Sequence, residues 1–235
     1  DGPQSVSYPR IWEGHSEPIT QLTLSPDGRG LLSASKDGTI RVWDVASGRQ
    51  VAMLEGHTHW VNGAIFSSDA QLILSVGGHR DTTLRIWDAE TWEEKRHWKL
   101  PEQGFRIAVP RHGMDVAVAG QFGLQVYDLK TGELKQTLEE NRPCFSVAYL
   151  PRGGIVASVD GRIHLFNERD GKPIWSKEVL IRDSDKEALK PPYVDSVIRF
   201  DISPDGRTIA AIGNQGIVYL LSPDNGDILK QWQAH

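Results

Sequence analysis

Ser33, His15 and Asp37 near the start of the chain, and Ser75, His57 and Asp81 after them, are residue types that could carry out acyl transfer. Serine would be the nucleophile, histidine the base and aspartate the group that orients it. That chemistry needs an exposed serine, and the chain has no G-x-S-x-G elbow to present one. The run His57-Thr58-His59, with His79 nearby, could be read as a metal site. No cysteine or carboxylate set completes a recognisable ligand spacing, and no metal is expected. The lone Cys144 lies beside Phe145 on a predicted inner strand, where a packing role fits better than a nucleophile.

The elements that would position these side chains are many and short. Frequent turns (23 Gly, 13 Pro) together with 8 Trp point to many short strands rather than helices. The apolar fraction of 39% is that of an ordinary globular chain, and 235 residues suffice for one large domain or two small ones. A net charge of -5 lacks the basic footprint of a nucleic-acid binder, so no nucleic-acid partner is expected. No apolar run reaches the roughly 18–20 residues of a membrane span, so no membrane partner is expected either. One cysteine excludes an internal disulfide framework and says little about compartment, although a cytoplasmic location is weakly favoured. The chain begins at Asp1 without a methionine and reads as a processed or shortened form, in which a targeting segment would already be gone.

Internal self-similarity supplies the organisation. "SPDGRGLLSASKDGTIRVWDVASGRQV" (25–51) aligns with segments starting at 67, 110, 150 and 203. The aromatic or apolar residue before the polar turn recurs as Trp43, Trp87, Tyr127, Phe166 and Leu221, at intervals of 44, 40, 39 and 55 residues. The last interval carries an insertion. Each unit reads as four strands. "ITQLTLS" alternates and places Ile19, Leu22 and Leu24 as candidate buried positions. "SPDG" and "KDG" are tight turns, since proline presets φ and glycine accepts a positive φ. "GLLSAS" is an apolar strand with both faces covered, and "TIRVWD" alternates. No helical period is evident, so the fold class is all-β.

These units resemble the WD-repeat β-propellers. The residues that carry the resemblance are Gly14-His15, Ser25-Pro26-Asp27-Gly28, Asp37-Gly38 and Trp43-Asp44 in the first unit, and Gly56-His57, Asp81 and Trp87-Asp88 in the second. Units three to five keep the turns and spacing but carry "VYD", "LFN" and "LLS" in place of "VWD". The resemblance covers the chain from about residue 8 to 235. It implies one propeller of four-stranded antiparallel blades over 1–235, with blade units at about 16–56, 57–99, 100–139, 140–180 and 195–232 and an insertion loop at 181–194. It also implies a hydrogen-bonded chain in each signature blade: His15, Ser33, Asp37 and Trp43 in the first, His57, Ser75, Asp81 and Trp87 in the second. The residue types suit that role, because the indole N–H can only donate and a carboxylate in a tight turn must be surrounded by donors. The repeat thus accounts for Ser, His and Asp without catalysis. Blade three has Gln121 at the Asp position, blade five has Gln215, and blade four keeps Asp160 but has Phe166 for Trp. Those blades are expected to rely on packing alone and to be the less rigid part.

Outer-strand segments occur six times and complete inner sets five times, which leaves the N-terminal "VSYPRIW" as one extra outer strand. "QWQAH" (231–235) then reads as the start of a further unit. By analogy with the family the ring would have seven blades, with the remaining blades supplied by the same or another chain. A closed five-bladed ring with a spare strand is the alternative.

Members of this family present loops on a rigid ring, so the implied function is a non-catalytic scaffold for a protein or peptide partner, with no cofactor. The matching face would carry Pro18, Thr20, Lys36, Trp60, Asn62, Arg80, Phe105 and Phe145. Trp60 with Arg80 is the most suggestive pair as interface anchors. Trp60 and the two phenylalanines could equally pack between blades. The insertion, with Pro191-Pro192 and many charges, is a surface loop and a second candidate. The other reading is an enzyme-associated propeller: "VYDLKTGELKQTL" and "LFNERDGKPIWSKEV" are similar to the D-x-x-T-G-K-x-x-W pattern of quinoproteins that use pyrroloquinoline quinone. Only blades three and four show that pattern, and such a turn is also simple hairpin chemistry. The texture of the repeats is similar to bacterial members, which are often fused to kinase, protease or cytochrome modules.

Overall fold

The computed structural model describes residues 11–179, 199–212 and 216–234. It is a five-bladed β-propeller arrangement of four-stranded antiparallel sheets. Blade one holds β1 (Ile19–Leu24), β2 (Gly30–Ser35), β3 (Ile40–Asp44) and β4 (Gln50–Leu54). Blade two holds β5 (Val61–Phe66), β6 (Leu72–Gly77), β7 (Thr83–Asp88) and β8 (Glu94–Lys99). Blade three holds β9 (Gly104–Ala108), β10 (Asp115–Gly120), β11 (Gly123–Asp128) and β12 (Leu134–Glu140). Blade four holds β13 (Cys144–Tyr149), β14 (Ile155–Val159), β15 (Arg162–Phe166) and β16 (Pro173–Glu178). Blade five holds β17 (Arg199–Ile202), β18 (Ile209–Ile212), β19 (Ile217–Leu221) and β20 (Ile228–Gln233). In every sheet the strands lie in chain order, joined by short turns. The extra N-terminal strand is almost wholly outside the described residues, as are the insertion at 181–194 and Gln215.

The turns follow from their residue types. In "SPDG" the Ser25 hydroxyl donates to the Asp27 carboxylate (2.6 Å), which also accepts from the Arg29 amide (3.0 Å). Gly28 takes a φ of 72°, which a glycine adopts without a Cβ clash. Ser67 with Asp69 and Ser203 with Asp205 repeat the motif, each at 2.6 Å. The turn after β3 is built on Asp44, which accepts from the Ser47 amide; Asp88 with Thr91 and Asp128 with Thr131 do the same. The D-x-x-T-G stretch of blade three is therefore the same aspartate-capped hairpin turn that the signature blades use.

The core is a series of inter-blade layers. Leu32, Ile40, Val42 and Leu54 of blade one meet Val61, Ala64 and Ile73 of blade two. Equivalent layers join blades two and three, three and four, and four and five. At roughly 1.5–3 kcal/mol for each fully buried aliphatic side chain, these layers are the main driving force for stacking the sheets. Cys144 is fully buried in the layer between blades three and four, and burial pushes its thiol up to about 12.

One expectation fails. Ile19, Leu22 and Leu24 are 52%, 58% and 56% exposed rather than buried. Val61 and Ala64, at the positions of Ile19 and Leu22 in blade two, are 0% and 1% exposed because blade one covers them. The alternation of "ITQLTL" marks an apolar face, but only a neighbouring sheet can bury it. Blade five shows the opposite half of the same joint. Ile212 and Trp232 are 41% and 42% exposed, whereas Leu54, at the register position of Trp232, is 2% exposed.

Candidate functional site

Both signature blades contain a continuous chain of hydrogen bonds. In blade one His15 Nδ1 lies 2.7 Å from Asp37 Oδ2, and its Nε2 lies 2.7 Å from Ser33 Oγ. The Trp43 indole N–H donates to the same hydroxyl at 2.8 Å. In blade two the corresponding distances are 3.1 Å for His57–Asp81, 2.7 Å for His57–Ser75 and 2.9 Å for Trp87–Ser75. Each serine is held between a tryptophan and a histidine. Ser75 is fully buried and Ser33 nearly so, the opposite of an exposed nucleophile. His57 meanwhile is engaged by Asp81, while His59 and His79 stack on each other at 4.5 Å.

Thr39 and Thr83 were missed in the sequence. The Thr39 hydroxyl donates to Asp37 at 2.7 Å and its amide at 2.9 Å; Thr83 does the same to Asp81 at 2.5 and 3.0 Å. A threonine two residues after a turn aspartate was the available signal. Burial alone would raise the Asp37 carboxyl, but donors from Thr39, His15 and Ser16 outweigh it and hold it at about 2. Asp81 is likewise held well below the usual range against its burial. Burial pushes His57 below its ordinary value, against the pull of Asp81.

The other blades are wired differently. Blades three and four have Val118 and Ala157 where the register puts Ser33, so no hydroxyl is available to link a histidine and an indole. In blade three the Tyr127 hydroxyl donates to Gln125 at 2.5 Å. Gln121 is exposed. In blade four Asp160 accepts from Arg142 Nε at 2.7 Å, and Phe166 stacks on His164 at 5.7 Å. These blades therefore do not rest on packing alone.

The loop face gathers most of the predicted partner residues into one depression of about 460 Å³, lined by Pro18, Thr20, Lys36, Trp60, Asn62 and Phe105 together with Ile19, Gln103, Arg106 and Arg199. Several of them act between blades. The Thr20 hydroxyl donates to the Val61 carbonyl (2.5 Å), and the Asn62 amide donates to the Gly104 carbonyl (2.7 Å). Phe105 and Phe145 stack at 5.2 Å across blades three and four. Thr20, Asn62, Phe105 and Phe145 occupy one repeat position, and in blades one to three that position links to the next blade. Trp60 is half-buried, with the Lys36 ammonium 4.3 Å from its ring centroid and His79 against its edge at 5.1 Å. Arg80 is exposed and does not line the depression, so Lys36 rather than Arg80 is the cation beside Trp60. Arg106, Gln103 and Arg199, which the sequence reading did not single out, complete the wall.

The WD40 family, described as "WD domain, G-beta repeat", matches residues 7–44 and 48–88. Eukaryotic translation initiation factor 3 subunit I of Debaryomyces hansenii is 32% identical over 245 residues, spanning 94% of this chain and 67% of that protein. The same subunit of Schizosaccharomyces pombe is 38% identical over 101 residues, spanning 42% of this chain and 30% of that protein. Small ribosomal subunit protein RACK1 of Caenorhabditis elegans is 44% identical over 87 residues, 32% of this chain and 26% of that protein. The chain thus spans about two thirds or less of the length of these relatives. They are eukaryotic and lend no support to a bacterial assignment.

Proposed function

We propose, on the premise that the chain belongs to the WD40 repeat family, that it is a non-catalytic scaffold whose loop face holds a protein or peptide partner. The observation that carries this is the depression on that face, where Trp60, Phe105 and Lys36 meet around the inner strands. Half-buried aromatics beside cations are the residue types that anchor interfaces. The seryl hydroxyls that would be needed for acyl transfer are instead locked in the blades. The relatives named above, an initiation-factor subunit and a ribosomal-subunit protein, are components of larger assemblies by name, which is consistent with this reading. The test is a crosslinking capture comparing the parent with Trp60→Ala. Partners held by the parent and lost by the variant, at an unchanged melting temperature, support it. Loss of stability with no selective loss of partners would make Trp60 a core residue and sink the assignment.

The uncovered faces of blades one and five are proposed to receive further blades of the same kind, from the same chain or another. Ile19, Leu22 and Leu24 present one half of an inter-blade joint, and Ile212 and Trp232 the other. Apolar sheet faces of this kind are typically covered. Leu22→Asp should leave the internal layers intact and reduce self-association in sedimentation. An unchanged sedimentation profile in a self-associating parent would count against that face as the joint.

A further inference from the structure

Among its described lining residues the depression on the loop face carries three cations and no carboxylate: Lys36 from blade one, Arg106 from blade three and Arg199 from blade five. Among the described residues none of the three makes an ion pair, although the chain as a whole has more acidic than basic groups. Arg106 and Arg199 stand at the same repeat position on β9 and β17, and both line the depression. Arg106 is half-buried, and among the described residues it is satisfied only by main-chain carbonyls. Its Nη1 donates to Asn62 and Phe105 at 2.7 Å each, and its Nη2 to Thr20 at 3.3 Å. A guanidinium has five N–H donors, so two have no partner among the described residues and are open to a ligand. Burial and the like charge of Arg199 bring Arg106 down to about 10, still charged at neutral pH.

Holding an arginine away from water beside a second arginine is unfavourable unless an anion arrives. A concave site lined by one sign of charge concentrates field and raises the local concentration of the opposite charge. The aromatic half of the wall, Trp60 and Phe105, supplies apolar contact for a chain lying across it.

We infer that this depression binds an extended peptide segment through acidic side chains, carboxylate or phosphate, placed between Lys36, Arg106 and Arg199. This rests on the partner-face reading above and gives the partner's chemistry. Carboxylate and phosphate both match the fork of an arginine and the point charge of a lysine.

The test is selection of a random dodecamer peptide library against the full chain, with Lys36→Ala and Arg199→Ala as counter-targets. Both residues are exposed, so these variants keep the Arg106 contacts that tie three blades together. The expected result is enrichment of Asp and Glu in the binders, at least a tenfold weaker affinity for each variant, and a steep loss of binding with salt. The best binder resynthesised with phosphoserine in place of one acid reports which anion the site prefers. Binders without acid enrichment that are still lost in Trp60→Ala overturn the anionic inference and leave the partner face standing. Binders indifferent to Trp60→Ala and to both cation variants, or no binders, overturn the inference, and the crosslinking capture then judges the face separately. A single-stranded oligonucleotide ten residues long, bound as tightly and lost in the same variants, would overturn the peptide as occupant.

Discussion

Replacing Asp37 with alanine tests what the signature residues do. The side chain is 8% exposed and accepts from His15 Nδ1, the Thr39 amide, the Thr39 hydroxyl and the Ser16 amide. The Ser16 amide is exposed and finds water, and the Thr39 hydroxyl can rotate to another acceptor. The His15 ring and the Thr39 amide cannot move far, because Ser33 holds the ring and the turn holds the amide. Two part-buried donors left unsatisfied cost about 1–3 kcal/mol each, so Asp37→Ala should lose about 2–6 kcal/mol. Gln121→Ala is the control at the equivalent turn. Its side chain is exposed, and its main-chain amide keeps its bond to the Gln103 carbonyl at 3.0 Å. That change should stay within about 0.5 kcal/mol. Urea denaturation followed by tryptophan fluorescence separates the two, since with a slope of about 1–3 kcal/mol per molar the midpoint of Asp37→Ala should fall by on the order of 1 M. Equal midpoints for the two variants would refute the claim that the hydrogen-bonded chain stabilises the blade.

Other outcomes follow from the same geometry. Burial depresses His57 in the folded state, so the unfolded chain takes up its proton first as pH falls. Stability should be greatest above about 6.5, the ordinary histidine value, and decline below it, and a melting temperature unchanged between pH 7.5 and 5.5 would contradict this. Gly132→Ala should destabilise more than Gly28→Ala: both have a positive φ (77° and 72°), but a Cβ at 132 would fall 1.6 Å from the Trp98 indole nitrogen and one at 28 meets nothing. The Gly28 variant should cost about 1 kcal/mol in thermal denaturation and the Gly132 variant clearly more. Cys144, fully buried with its thiol at about 12, should resist thiol reagents in the native state and react on unfolding. Rapid labelling of native protein would show that the layer between blades three and four opens.

Much of the architecture was legible from the chain. The recurrence of Trp43, Trp87, Tyr127 and Phe166 set the period, and "SPDG" and "KDG" set the turns, because these are local matters of φ and of side chains capping their own backbone. The quartets His15–Ser33–Asp37–Trp43 and His57–Ser75–Asp81–Trp87 were implied by the resemblance to WD repeats, whose signature residues recur with the unit. The threonines that finish the aspartate's shell were overlooked although they stand two residues away.

What crosses from blade to blade was not legible. "ITQLTL" and "VNGAIF" occupy the same place in their repeats, yet Ile19 and Leu22 are exposed while Val61 and Ala64 are buried, because burial depends on the neighbouring sheet and not on the strand's own pattern. Nor could the sequence assign Thr20 and Asn62 to joining blades, put Lys36 rather than Arg80 beside Trp60, or bring Arg106 and Arg199, 93 residues apart, to one depression. The repeat period fixes the form of each blade; the ring alone decides which side chains from different blades share a wall, since that depends on how the sheets stack and turn about a common centre.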